Sequence, residues 1–153
     1  MPSHFPHHRP RRLRQSAAIR NLVQEISLSV NDLIYPLFVT AENNGKSEIA
    51  SMPNCYRHSI PSLIAEAREA VENGIQAIAL FPAINKSLRN EDASEAYNPS
   101  GLIQRTVKAL KKELPELCII TDVALDPYTS HGHDGLCDKK GKVLNDQTVE
   151  VLI

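Results

Sequence analysis

The sequence predicts an α/β protein assembled from parallel βα units. Apolar runs recur over residues 33–39, 75–81 and 117–124, helical periodicities separate them, and the spacing between units is short. Strands that are apolar throughout suit a sheet covered on both faces, where neither side has to meet water. Right-handed connections between such units leave two solutions, an open doubly wound sheet or a closed barrel. No GxGxxG follows the first run and no P-loop is present, so nothing favours a nucleotide-binding sheet.

Residues 1–14 read as an extended arm: Pro2, Pro6 and Pro10 interrupt any helix, and Arg9-Pro10-Arg11-Arg12-Leu13-Arg14 closes the segment. A short helix is expected over 16–25, where Ala17, Ala18, Leu22 and Val23 are helix formers or periodic apolar positions. The first strand, 33–39, contains Pro36, which cannot donate to a central ladder. Asn43-Asn44-Gly45 is turn chemistry, and the stretch onward to Ser59 is expected to be irregular. Pro61-Ser62 opens a helix with Leu63, Ile64, Ala67, Ala70 and Val71 on one face, and Asn73-Gly74 ends it. The second strand, 75–81, leads into a polar segment over 85–100 that holds Glu91, Asp92 and Glu95. Leu102, Ile103, Val107, Leu110 and Leu114 then define a helix over 101–114, with Pro115 beyond it. The third strand is followed by a polar loop, a small hairpin around Lys140-Gly141, and a helix start at Asn145.

The chain has 153 residues, enough for one core, and its formal net charge is −1. This balance opposes a role in coating nucleic acid, which depends on excess Lys and Arg. No run of about 18 apolar residues exists, so no membrane-spanning segment is expected. The cysteines, Cys55, Cys118 and Cys137, are odd in number and form no CxxC pair, which fits a reducing compartment such as the cytosol. The early arginines without acids resemble a transit peptide, but the prolines oppose its amphipathic helix. His4, His7 and His8 read as exposed spacers.

Chemistry concentrates where the third strand ends. Residues 121–135 hold the carboxylates of Asp122, Asp126 and Asp134, the imidazoles of His131 and His133, the Tyr128 phenol, and the hydroxyls of Thr121, Thr129 and Ser130. Functional residues of parallel α/β folds lie at the carboxyl ends of strands, where Asp122 stands. A carboxylate there holds an ammonium or imine, and the histidines transfer protons or bind a metal. The competing reading is a solvated loop whose aspartates make local turns. A rival enzyme reading makes His131-Gly132-His133-Asp134 the metal cluster of a metal-dependent hydrolase. That pair follows Pro127 and lies between glycines, so it sits on a loop, without the strand alternation that aims two rings to one side.

Several separated motifs resemble the porphobilinogen synthase (delta-aminolevulinic acid dehydratase) family in order: residues 9–14, the Ser29-Val30-Asn31-Asp32-Leu33-Ile34-Tyr35-Pro36-Leu37-Phe38-Val39 stretch, Met52-Pro53, Tyr128-Thr129-Ser130-His131-Gly132-His133, and Leu144-Asn145-Asp146. The resemblance implies a partial TIM (β/α)8 barrel, with residues 1–28 as an amino-terminal arm with a short helix and 29–153 as the first three βα units, truncated. A closed barrel needs about 250 residues. The implied reaction condenses two 5-aminolevulinate molecules to porphobilinogen with loss of water, in tetrapyrrole (heme) biosynthesis. Its Schiff-base lysines are expected in the missing half, so this chain is expected to be inactive by itself. Asp122 matches the family's strand-end aspartate, with Asp126 and Asp134 in supporting roles and Tyr128, Ser130, His131 and His133 in the active-site loop. Zinc-using members carry cysteines where this chain has Ala124, Asp126 and Asp134. The resemblance is therefore to the aspartate-rich, zinc-independent class: magnesium is the implied cofactor, zinc is disfavoured, and Cys137 lies outside the triad. The implied assembly is a homo-octamer joined through the arm, in the cytoplasm. The alternative is a non-catalytic partner of full-length synthase subunits.

Overall fold

The computed structural model describes residues 9–42 and 45–153. His4, His7, His8 and the Asn43-Asn44 turn lie outside the described residues. The chain divides into two units, Met1–Asp32 and Leu33–Ile153. In the first, a helix α1 (Ala17–Leu22) is capped by Ser16, whose hydroxyl accepts from the Ile19 amide at 3.2 Å. It is shorter than the expected helix over 16–25. Leu22 lies open at 84% exposure and, beyond the helix, Ile26 at 83%.

The second unit is a five-stranded sheet with the order β2-β3-β1-β4-β5. Its strands are β1 (Ile34–Thr40), β2 (Lys46–Ile49), β3 (Met52–His58), β4 (Ala77–Ala83) and β5 (Cys118–Thr121). Helix α2 (Ile60–Glu72) joins β3 to β4, and α3 (Leu102–Glu113) joins β4 to β5. A last helix, α4, covers Asn145–Leu152. The three apolar strands run parallel, in register from Ile34↔Ala77 and Ala77↔Cys118. Pro36 is accommodated because β3 pairs with β1 only at Phe38 and Val39, so β1 has one neighbour where the proline sits.

Residues 46–58, expected to be irregular, instead form a hairpin: β2 pairs antiparallel with β3, and β3 joins β1 in parallel. The reason is visible in its burial. Only Ile49 and His58 of the two strands are buried, so the apolar alternation that identifies a strand is missing. The third apolar strand also ends earlier than expected, at Thr121 instead of residue 124.

Register assigns the side chains to faces. Leu37, Val39, Ile78 and Leu80 share one face and pack with Leu63, Ala67, Leu102 and Leu110 of the helices. The opposite face carries Ile34, Phe38, Phe81 and Ile120, with the Phe38 and Phe81 rings 5.7 Å apart. Ile34 is 54% and Ile120 40% exposed. The expectation of strands covered on both faces therefore holds for one face within this chain. A polar tie fixes β1 under α2, where the Tyr35 hydroxyl donates to Glu66 Oε1 at 2.9 Å. Burial, reinforced by Glu66, pushes the Tyr35 phenol up to about 12, so it remains a donor.

Leu80 is 1% exposed between the two helices. Leu80→Ala is expected to lower stability by about 2–5 kcal/mol through lost transfer energy and a residual cavity, measured by urea denaturation. His58 is also buried, with Nδ1 3.1 Å from Ser62 Oγ. Burial, helped by Lys46 and opposed by Glu66, holds its imidazole below the ordinary 6.5. The unfolded chain then binds the extra proton first. The contribution of neutral His58 is complete above 6.5 and is lost as pH falls from 6.5 towards the depressed folded value. Urea midpoints across that range should fall more steeply for the native chain than for His58→Gln.

Candidate active site at the carboxyl ends of the strands

Asp122 follows the last residue of β5, and continuing the strand's alternation assigns it to the face of Ile120. It borders a small cleft with Leu80, Phe81, Pro82, Ala124 and Tyr128, at the carboxyl ends of β4 and β5. The fold places it there because α3 returns the chain to lay β5 parallel to β4.

Tyr128 is the buried member of the loop, at 9% exposure. Burial, then the carboxylates of Glu95 and Asp122, raise its phenol to about 12. It therefore stays protonated at neutral pH, with its hydroxyl proton available for donation. The surrounding backbone is tied to the segment after β4: the Asn90 amide donates to Tyr128 O at 3.2 Å, and the Ser130 amide to Asn90 O at 3.0 Å. Thr129, 1% exposed, donates its hydroxyl to the His133 carbonyl at 2.9 Å.

The remaining predicted residues divide by role. Asp134 Oδ1 accepts from the Leu125 amide at 2.6 Å, the local-turn role that was the competing reading. Asp126 is exposed, as are Ser130, His131 and His133. The two imidazoles come together, with ring centroids 5.4 Å apart. Asp122, Asp126 and Asp134 do not converge with one another; among the described residues the one group of three or more metal-ligating side chains is His131, His133 and Cys137. Asp134 does not belong to that group, so the His131-Gly132-His133-Asp134 cluster of the hydrolase reading is not assembled as a set.

Sequence reasoning missed three contributors. Asn90 anchors the loop from a distant polar segment, Glu95 lies near enough to act on Tyr128, and Cys137 joins the histidines. Only the His-x-His-x3-Cys spacing was available as a signal. Gly135 is a further fixed point: a Cβ there would meet Val143 Cγ1 at 2.7 Å and Thr148 Oγ1 at 3.0 Å, so only glycine lets α4 and the hairpin close on the loop. Every lysine of the chain is exposed.

A family model described as delta-aminolevulinic acid dehydratase matches residues 7–153. The chain is 50% identical over 145 residues to the delta-aminolevulinic acid dehydratase of Bradyrhizobium diazoefficiens, covering 95% of this chain and 41% of that relative. It is 44% identical over 156 residues to the chloroplastic delta-aminolevulinic acid dehydratase of Glycine max, covering 99% of this chain and 37% of that relative. A crystal structure of delta-aminolevulinic acid dehydratase (porphobilinogen synthase) from Toxoplasma gondii ME49, in complex with the reaction product porphobilinogen, is 46% identical and superposes with a TM-score of 0.90. That match covers 95% of this chain and 41% of that one. The chain thus spans 37–41% of the length of these relatives. With its fold, its strand-end loop and its sequence all matched, the chain belongs to the delta-aminolevulinic acid dehydratase family.

Proposed function

We propose that this chain is the amino-terminal part of a porphobilinogen synthase that condenses two 5-aminolevulinate molecules to porphobilinogen with loss of water, in heme biosynthesis. The observation that carries the reading is the strand-end carboxylate of Asp122 beside a buried, protonated Tyr128, on a backbone that superposes at a TM-score of 0.90 on a product-bound relative. In this reading Asp122 orients a substrate amine or stabilises an iminium by charge. The amines that form the Schiff bases come from sequence outside this chain, in keeping with its uniformly exposed lysines. Tyr128 donates a hydrogen bond at the cleft, while Ser130, His131 and His133 form the outer, exposed part of the loop.

The sheet is the first part of a TIM barrel, with the Phe38, Phe81 and Ile120 face turned to its interior. The half-exposed state of that face supports this assignment. Magnesium suits the exposed carboxylate of Asp126, because Mg²⁺ takes oxygen donors, few of them from protein, and keeps its waters. Asp134 has one oxygen committed to Leu125 and supports the loop backbone. Magnesium held by Asp126 would supply positive charge at the edge of the loop. The open apolar side chains of Leu22, Ile26 and Leu28 support docking of the arm on another subunit in a homo-octamer. The unpaired cysteines support a reducing cytoplasm.

The test is to assay residues 1–153 alone and joined to the remaining sequence of the Bradyrhizobium relative. The joined protein is expected to form porphobilinogen from 5-aminolevulinate and the isolated chain is expected to form none. Asp122→Asn in the joined protein should lower kcat by roughly 100–1,000-fold, the scale of losing one preorganised electrostatic contact. Turnover by the isolated chain, or an Asp122→Asn protein of native kcat, would overturn the assignment.

A further inference from the structure

We propose that His131, His133 and Cys137 form a zinc-type metal site, a ligand set separate from Asp122, Asp126 and Asp134. Their ligand atoms, the imidazole nitrogens and the thiol sulfur, all lie within 4.8 Å of one another. Zn–N bonds of about 2.0–2.1 Å and Zn–S bonds of about 2.3 Å put tetrahedral ligands about 3.4–3.7 Å apart. Closing the cluster on a metal therefore takes movements of about 1 Å, which exposed imidazoles make by side-chain rotation.

The backbone already holds these ligands in place. Gly132, with φ +77°, turns the chain between the two histidines, and their rings tilt 39° to each other. The His131 Nδ1 lone pair accepts from the His133 amide at 3.2 Å, so it points into the turn; coordination through that nitrogen exchanges this hydrogen bond for a metal bond. His133 is fixed from below by the buried Thr129 hydroxyl on its carbonyl. Cys137 is held by a different element, the small hairpin in which it pairs antiparallel with Val143, and the Leu144 amide donates to Leu136 O at 2.8 Å. The hairpin is in turn tied to α4, since Thr148 Oγ1 accepts from the Leu136 amide at 3.0 Å. Such surrounding hydrogen bonds orient ligands before the metal arrives.

The donor set selects the metal. Two imidazoles and one thiolate suit a borderline-soft divalent ion and do not suit magnesium or calcium, which take oxygens. Three protein ligands leave a fourth tetrahedral position for water or a substrate oxygen, as in catalytic zinc sites. Binding displaces the Cys137 thiol proton to solvent, so affinity rises with pH. The bound ion ties the histidine turn to the hairpin. This inference stands on the local geometry and is independent of the reaction assigned above.

The test uses the purified, reduced chain and metal alone. Zinc should slow alkylation of Cys137 by at least about 10-fold while leaving the exposed Cys118 unchanged, read by mass spectrometry. Cobalt(II) should give a thiolate charge-transfer band that Cys137→Ser abolishes. His131→Ala and His133→Ala should each weaken zinc affinity by about 100-fold, since even outer-shell losses cost about 10–100-fold. Equal alkylation of Cys137 with and without zinc would overturn the proposal. So would protection spread over all the cysteines, a cobalt band retained in Cys137→Ser, or unchanged affinity in either histidine variant.

Discussion

Parallel strands carry apolar side chains towards both faces, and helices α2 and α3 cover one face of β1 and β4. Leu37, Val39, Ile78 and Leu80 are shielded by α2 and α3, and this layer positions everything else. It sets β5 beside β4, delivers Asp122 to the carboxyl edge, and seats the loop through Leu125 and Tyr128, which belong to the same core. The other face leaves Ile34 and Ile120 in contact with solvent.

The loop after β5 shows how a polar segment becomes a site. Its residues are too hydrophilic to pack a core, so order comes from specific bonds: Asp134 to Leu125, Thr129 to His133, and the Asn90 backbone to Tyr128 and Ser130. These bonds consume one predicted ligand, Asp134, and release others. Asp122 stays beside a buried phenol whose proton is retained, and the two histidines gather near a thiol from a separate hairpin. The Asp122 carboxylate and the imidazole–thiol group thereby occupy different places.

The legible part of the sequence was the part with strong periodicity. The helix over Ile60–Glu72 and the helix over Leu102–Glu113 emerged from their apolar stripes within a residue or two, and the parallel strands from uninterrupted apolar runs. The hairpin of β2 and β3 was illegible because its side chains are mostly exposed on both sides, and pairing alone makes it a strand pair. The position of Asp122, just beyond the end of a strand, was legible from its place after an apolar run. The partner of Asp134 was not, because an acceptor for the Leu125 amide is chosen by a turn's geometry, and Cys137 joined the histidines only through a hairpin closed by Gly135 and Thr148. Contacts of that kind depend on tertiary approach and leave no periodic trace.

The uncovered face can be probed most directly by amide hydrogen exchange at β5. In the isolated chain the Cys118–Thr121 amides, at the edge of the sheet, should exchange much faster than those of the central strand β1, and joining the chain to the remaining sequence of a relative should slow them to the β1 level. Equal protection of β5 and β1 in the isolated chain would mean that the sheet is finished as it stands, and that no further strands are needed to complete it.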